Sequence, residues 1–252
     1  MSGTPLQVSL RFYAELNDFL PAEQRKVEFV HYYHQAASIK DVIESLGVPH
    51  TEIDLILVNG RSVDFQYRVQ NGDRISVYPM FEALDITPLT HLRPKPLRRT
   101  RFVLDVHLGR LAAYLRMLGF DTLYRNDYDD PTLAAISIQQ QRILLTCDRK
   151  LLMRKQITHG YFVRSRQPRQ QLLEIISRLD LYGGLQPFTR CMYCNGKILP
   201  VEKGKILDQL LPHTRKQHNH FWNCMECGKI YWKGSHYQHM QQLISRLMAT
   251  PH

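Results

Sequence analysis

The 252-residue chain carries 33 lysines and arginines against 23 aspartates and glutamates, a formal net charge of +10, and 44% of its residues are hydrophobic. That hydrophobic content excludes global disorder, and no apolar run reaches the roughly 18–20 residues needed to span a bilayer. The N-terminal segment lacks the basic and apolar regions of a signal peptide, so we expect a cytoplasmic protein without disulfides or membrane contact. The positive charge favours a polyanionic partner, most simply nucleic acid, over an inert basic surface.

The first region, residues 1–84, has the pattern of a small mixed domain. A helix is predicted to begin after Ser38, a good N-cap residue, and to end at Gly47. Apolar alternation and flanking turn residues predict four strands, at 7–12, 26–29, 55–58 and 74–78. The order strand, strand, helix, strand, strand is a β-grasp pattern.

The segments VNG and NGDRISVYP make this region resemble the ubiquitin-like and sulfur-carrier β-grasp families. Sulfur carriers end in an exposed Gly-Gly, whereas here the chain continues past Pro79. Carrier chemistry is therefore disfavoured, and we expect a docking or regulatory domain that binds a protein partner.

Residues 85–100 are predicted to be a linker, because their prolines oppose regular structure. Residues 93–101, at the end of this linker, carry five positive charges and no acidic residue: Arg93, Lys95, Arg98, Arg99 and Arg101. This stretch is either a solvated connector or a strap that contacts phosphates beside an active site.

Residues 101–186 alternate strands with helices. Strands are predicted at 101–104, 121–124, 142–146 and 161–163, and helices at 108–118, from Pro131, and at 170–179. This alternation predicts an α/β domain with a parallel sheet and helices on both faces.

Aspartates follow three successive strands of this region. Asp105 follows the first strand and Asp148 the third, while the second is followed by Asp127, Asp129 and Asp130. Side chains at the carboxyl ends of parallel strands lie at one edge of the sheet, and grouped carboxylates repel one another unless a cation neutralises them. Oxygen ligands select Mg²⁺ or Mn²⁺. The pattern therefore indicates metal-assisted hydrolysis of a phosphodiester.

Each aspartate also has a structural interpretation. Asp105, Asp130 and Asp148 each precede a predicted helix or turn and could cap its N-terminus. Capping explains any one of them alone, but it explains less easily why all three follow strands.

Two CxxC pairs, Cys191 with Cys194 and Cys224 with Cys227, are separated by 29 residues. Two such knuckles complete a tetrahedral four-thiolate site, which suits Zn²⁺, and four protein ligands leave no open position. The pairs therefore predict a structural zinc ribbon in residues 187–252, followed by a C-terminal helix. Basic and aromatic residues surround the ribbon; its tryptophans, Trp222 and Trp232, either stack RNA bases or pack the small ribbon core.

The segments FVLDVHLGRLAAYLRMLGFDTLYRNDYDD, RILLTCDRKLL and FWNCMECGKIYWKGSHY resemble the PIN-like RNase domain named after the C-terminal part of the mutator-seven nuclease. Bacterial members of this family carry a β-grasp domain before the RNase domain, and the resemblance covers residues 5–248. It implies a PIN-like fold, RNA as substrate and a Mg²⁺- or Mn²⁺-dependent site at Asp105, Asp130 and Asp148. Asp127 and Asp129 are second-tier candidates.

The chain departs from the PIN pattern after the fourth strand, where residues 162–165 contain no acid. The alternatives are therefore a non-catalytic RNA-binding protein on a PIN-like scaffold, or an interaction adaptor centred on the β-grasp. Candidate phosphate contacts are the basic side chains near the predicted acidic edge, namely Arg98, Arg99, Arg101, Arg110, Arg149 and Arg164.

Overall fold

The computed structural model describes residues 6–33, 36–79, 92 and 100–249. The chain divides into two compact units, Met1–Arg99 with Asp129–Phe162, and Thr100–Tyr128 with Val163–His252. Within the described ranges, every helix is too short or too polar to cross a membrane. The fold is mixed α/β, as predicted, and the linker arginines Arg98 and Arg99 lie outside the described residues.

The N-terminal region forms one five-stranded sheet: β1 (Leu6–Phe12), β2 (Phe29–Tyr33), β3 (Ile53–Val58), β4 (Arg61–Ser62) and β5 (Arg74–Pro79). The strand order is β2-β1-β5-β3-β4. Strands β1 and β5 are parallel, and the other neighbours are antiparallel. This sheet confirms the predicted β-grasp.

Helix α1 (Ile39–Ser45) begins at the predicted Ser38 cap. The Ser38 hydroxyl accepts a hydrogen bond from the Asp41 N–H at 3.2 Å, and the Asp41 carboxylate accepts from the Ser38 N–H at 3.3 Å. This reciprocal capping box satisfies two backbone donors at the helix start. Ile39, Val42 and Ile43 are buried in the core that the helix shares with β1, β3 and β5.

The strand predicted at 26–29 is wrong, because β2 begins only at Phe29. Lys26 has a left-handed φ of 59°, and its N–H donates to the Asn17 side-chain oxygen at 2.6 Å. Val27 is 46% exposed. The Lys26-Val27-Glu28 segment is therefore a turn held by a side chain nine residues away, a contact that local alternation does not reveal.

The strands after residue 100 pair in parallel, as predicted. Strand β6 (Arg101–Leu104) pairs with β7 (Asp121–Leu123), and β8 (Ile143–Thr146) pairs with β9 (Gly160–Phe162). The accompanying helices are α2 (Gly109–Met117), α3 (Asp130–Gln139), α4 (Arg149–Leu152) and α5 (Pro168–Arg178). The continuous burial of Phe102, Val103 and Leu104 is typical of parallel strands covered on both faces.

The C-terminal region is a three-stranded antiparallel ribbon with two helices. The strands are β10 (Ile198–Val201), β11 (Phe221–Cys224) and β12 (Ile230–Trp232), and the helices are α6 (Pro212–Gln217) and α7 (Ser235–Met248). The ribbon core consists of Ile206, Leu210 and Phe221, with Val201 and Ile230 packed against it.

Candidate metal centre and active site

The two cysteine knuckles meet at one point. The sulfur of Cys191 lies 3.7 Å from that of Cys227, and the sulfur of Cys194 lies 3.3 Å from that of Cys224. All four sulfurs lie within 4.8 Å of one another. Across the described part of the chain, this is the one group of three or more cysteine, histidine or acidic side chains whose ligand atoms lie within this distance of one another.

These spacings fit a tetrahedral metal site. Zn–S bonds of about 2.3 Å place the sulfurs of a tetrahedron about 3.8 Å apart, and the observed separations are close to that value. The four cysteines could therefore hold a metal such as zinc, as their spacing in the sequence predicts.

The electrostatics of the site favour a thiolate at Cys191. Burial raises the pKa of this thiol, but the Tyr231 hydroxyl, 3.0 Å from its sulfur, and nearby backbone N–H groups lower it to about 6. Burial raises the pKa of Cys194 to about 12 and also raises that of Cys227. The Tyr231 hydroxyl and the backbone N–H groups therefore stabilise the thiolate form of Cys191.

The first knuckle is attached to the strand and helix that precede it in the same unit. Asn195 donates to the Asp121 carboxylate at 2.8 Å and accepts from the Thr122 N–H at 3.0 Å. The buried guanidinium of Arg116 donates to the carbonyls of Met192 and Tyr193, at 3.2 and 2.8 Å. Loss of the knuckle would therefore remove hydrogen bonds that α2 and β7 make with it.

Gly196 lets the two knuckles approach each other. A Cβ at this position would meet the side chain of Glu226 and lie 2.8 Å from the sulfur of Cys224. Gly228, the corresponding residue of the second knuckle, instead needs its left-handed φ of 72°. Gly196 is therefore required for space, and Gly228 for its backbone conformation.

Asp105 directly follows β6 and is only 8% exposed. It occupies the N-cap position of the 3-10 turn Val106–Leu108, yet its side chain makes no cap hydrogen bond there. The structural interpretation as a helix cap is therefore not supported for this residue.

The acidic run after β7 separates into different roles. Asp127 pairs with Arg125 at 2.7 Å, which lowers the pKa of its carboxyl. Asp129, rather than Asp130, is the N-cap of α3: it accepts from the Thr132 N–H at 2.9 Å, and hydrogen bonding to Thr132 lowers its pKa. Asp130 is the first helical residue, and its carboxylate lies 3.5 Å from the Arg154 guanidinium.

Asp148 lies two residues after β8 and caps α4. Its carboxylate accepts from the Lys150 N–H at 2.8 Å, while its own N–H donates to the Thr146 hydroxyl at 2.9 Å. The cap uses one carboxylate oxygen, so capping and metal binding are compatible here. Asp105 belongs to one compact unit and Asp130 and Asp148 to the other, so their convergence stays a prediction.

Arg149, a candidate phosphate contact, is engaged with the β-grasp instead. Its guanidinium lies 4.9 Å from the ring centroid of Phe19 and 5.4 Å from that of Phe162, and it donates to the Phe19 carbonyl at 3.3 Å. The two rings contact each other edge to face at 5.4 Å.

Two further hydrogen bonds join the same segments. Glu52 accepts from the Phe162 N–H at 2.6 Å, and His50 lies 2.8 Å from the Ile157 carbonyl and 2.6 Å from Glu44. The β-grasp thus holds both α4, which Asp148 caps, and strand β9.

The remaining described arginines differ in exposure. Arg110 is exposed in the first turn of α2, whereas Arg101 in β6 and Arg164 after β9 are half-buried. Arg110 is therefore the described candidate best placed to meet a ligand in solution.

Sequence reasoning missed Glu174, which brings a carboxylate to the loop after β9. Its two oxygens accept from the N–H groups of Arg164 and Ser165, at 2.8 and 2.9 Å. Glu174 is the one acid in α5, which is the signal that could have singled it out.

Comparison with known proteins agrees with this architecture. The family model described as the Mut7-C RNAse domain matches residues 100–244, and the model described as Mut7-C ubiquitin matches residues 6–85. No curated protein matches the chain. The first match includes the strand-end aspartates and all four cysteines, and it covers more than half of the 252 residues. The chain therefore belongs to the Mut7-C RNAse domain family.

Proposed function

We propose that the chain is a divalent-metal-dependent ribonuclease that hydrolyses RNA phosphodiester bonds with Asp105, Asp130 and Asp148. The match to the Mut7-C RNAse domain over residues 100–244 carries this proposal, because it includes all three aspartates. The net charge of +10 supports a polyanionic substrate.

The three carboxylates would hold Mg²⁺ or Mn²⁺, since oxygen donors suit these cations. A cation bound there would supply an activated water and stabilise negative charge on the phosphate oxygens. The burial of Asp105 strengthens its attraction for a cation, because the surrounding dielectric is low. Exposed Arg110, five residues along the chain, would position a phosphate of the substrate.

The four-cysteine site is proposed to bind one structural Zn²⁺. Its ligands are all thiols and fill a tetrahedral shell, so no position remains for water or substrate. The β-grasp is proposed to dock a protein partner, in addition to supporting α4 through the contact of Phe19 with Arg149 and β9 through that of Glu52 with Phe162.

A second candidate function is RNA binding without turnover. The loop after β9 contains no acid of its own, and both oxygens of Glu174 already accept backbone hydrogen bonds there. In this second function, the basic surface would bind RNA, and the three aspartates would not suffice to hydrolyse it.

Cleavage of a panel of labelled RNAs distinguishes these functions. The zinc-loaded protein is dialysed free of Mg²⁺ and Mn²⁺, because a chelator would also strip the ribbon, and Mn²⁺ is then added back. We expect cleavage only with Mn²⁺. RNA binding without cleavage of any substrate would favour the second function, and cleavage that needs no added metal would rule out the proposed mechanism.

A further inference from the structure

A pocket of about 250 Å³ lies beside the ribbon, lined by residues from β11, β12, helix α7 and the chain before the first knuckle. Its lining is unusually rich in aromatic side chains, namely Phe188, Trp222, Tyr231, Trp232 and Tyr237. The rings of Phe188 and Tyr237 lie 4.6 Å apart and are tilted by 41°. The pocket thus offers several ring faces within one small volume.

The two tryptophans are not needed to fill the ribbon core. That core is built from Ile206, Leu210 and Phe221. Trp232 is 39% exposed and Trp222 is half-buried. Of the two interpretations drawn from the sequence, the pocket therefore favours stacking.

Positive charge adjoins these rings. The Lys233 ammonium lies 5.6 Å from the ring centroid of Trp222 and 5.7 Å from that of Tyr237. Arg190 also lines the pocket; its guanidinium donates to the Asn195 carbonyl at 2.9 Å and lies 3.5 Å from the Asp121 carboxylate, so Lys233 is the main positive charge for a ligand. None of the described lining residues is acidic. A ligand with a flat ring and an attached anion would complement this lining.

We propose that this pocket binds an unpaired nucleobase of single-stranded RNA, an inference that rests on the proposed function as an RNA-directed enzyme. The volume is below the roughly 300–1,000 Å³ of pockets for whole small molecules, and a single base is a flat fragment of a larger ligand. Aromatic side chains stack on bases that are free of a duplex, while cations hold the adjoining phosphates. The pocket would thereby retain a single-stranded segment of the substrate.

The chain contains two tryptophans, and both line this pocket. Intrinsic tryptophan fluorescence is therefore sensitive to a ligand bound in the pocket. Zinc-loaded full-length protein, without Mg²⁺ or Mn²⁺, is titrated with a labelled oligoadenylate, an abasic oligonucleotide of equal length and an RNA duplex, and affinity is followed separately by anisotropy. We expect quenching by oligoadenylate, with little or none from the abasic strand or the duplex.

Substitutions separate stacking from charge. Trp232→Ala should weaken oligoadenylate binding at least about fivefold, the lower end of what base–aromatic stacking contributes, and should leave abasic binding and zinc content unchanged. Trp232→Phe should restore most of the affinity, while Tyr32→Ala, which removes a 58% exposed ring from the β-grasp, should have no effect. Lys233→Gln should lower affinity more than Lys216→Gln, which removes the same charge from exposed helix α6.

The outcomes distinguish the pocket from the wider function. Equal binding of oligoadenylate and abasic strand without quenching would overturn the proposal that the pocket binds a nucleobase. It would leave the proposal of RNA binding intact. Unchanged oligoadenylate affinity in Trp232→Ala would overturn the nucleobase proposal as well. Failure of every oligonucleotide to bind would overturn both the nucleobase-binding role of the pocket and the proposed function.

Discussion

Neighbouring aspartates of the run after β7 are predicted to differ in their importance for activity. Asp129 caps α3 through the Thr132 N–H, whereas Asp130 makes only a 3.5 Å ion pair with Arg154. Asparagine caps a helix almost as well as aspartate, so Asp129→Asn should retain RNA cleavage. Asp130→Asn removes a charge proposed to hold the cation and should abolish cleavage. The Mn²⁺-dependent cleavage rate of each variant checks this assignment, and equal rates would contradict it.

A single methyl group at Gly196 is predicted to disrupt the metal centre. In Gly196→Ala, the new Cβ would lie 2.8 Å from the Cys224 sulfur and against Glu226. We expect less than one zinc per chain and a lower melting temperature, because structural zinc contributes directly to folding. Gly204→Ala is the matched control, since a Cβ there meets nothing within 4 Å.

The measurements for this pair are zinc content by elemental analysis and thermal unfolding. Full zinc occupancy in Gly196→Ala would show that the second knuckle can move aside. The companion variant, with Cys191 and Cys224 both replaced by serine, should lose zinc entirely; undiminished zinc there would refute the four-cysteine assignment.

The contacts between the β-grasp and helix α4 bear on the role of Arg149. Arg149 was a plausible phosphate contact because it follows Asp148, yet its guanidinium contacts Phe19 and Phe162. Its role is therefore predicted to be structural. Arg149→Ala should lower the free energy of unfolding by about 1.5–3.5 kcal/mol, the sum of two cation–π contacts and one hydrogen bond.

The same variant should leave the salt dependence of RNA binding unchanged, because no phosphate contact is lost. Lys150→Ala removes an exposed charge one residue further on and serves as the control for net charge. Denaturant unfolding and RNA affinity at several salt concentrations are the measurements. A flattened salt dependence in Arg149→Ala, but not in Lys150→Ala, would indicate that Arg149 contacts a phosphate of the RNA.

Periodic elements were predictable from the sequence because their signals are local. The Ser38 cap, the parallel strands and the paired CxxC knuckles each depend on residues a few positions apart, and the structure contains them. The wrong strand involves a distant partner, because the turn at Lys26 depends on Asn17. The contact of Arg149 with Phe19, 130 residues away, is likewise beyond the reach of local patterns.

The candidate site was predictable only in part for the same reason. The strand-end positions of Asp105 and Asp148 follow from alternation, and so does the presence of an acidic run. Which member of that run caps α3 depends on where the helix begins, a boundary that sequence patterns fix poorly. The carboxylate of Glu174 reaches the loop after β9 from helix α5, so the search for acids that directly follow strands does not find it.

At the scale of the whole molecule, the chain combines a β-grasp, parallel α/β strands and a cysteine ribbon with a net charge of +10. The β-grasp contacts α4 and β9, while the first knuckle contacts α2 and β7. The β-grasp therefore supports α4, which Asp148 caps, and the first knuckle supports α2, which begins four residues after Asp105.

The most direct test of the central claim is the Mn²⁺-dependent rate of RNA cleavage by the wild type, by Asp105→Asn, Asp130→Asn and Asp148→Asn singly, and by the triple variant. Residues that hold one cation act as a unit, so each single variant should be nearly as inactive as the triple. RNA affinity, measured in parallel, should persist or rise, since negative charge facing the phosphates is removed. Wild-type turnover in Asp105→Asn and Asp148→Asn, with RNA binding intact, would contradict the account.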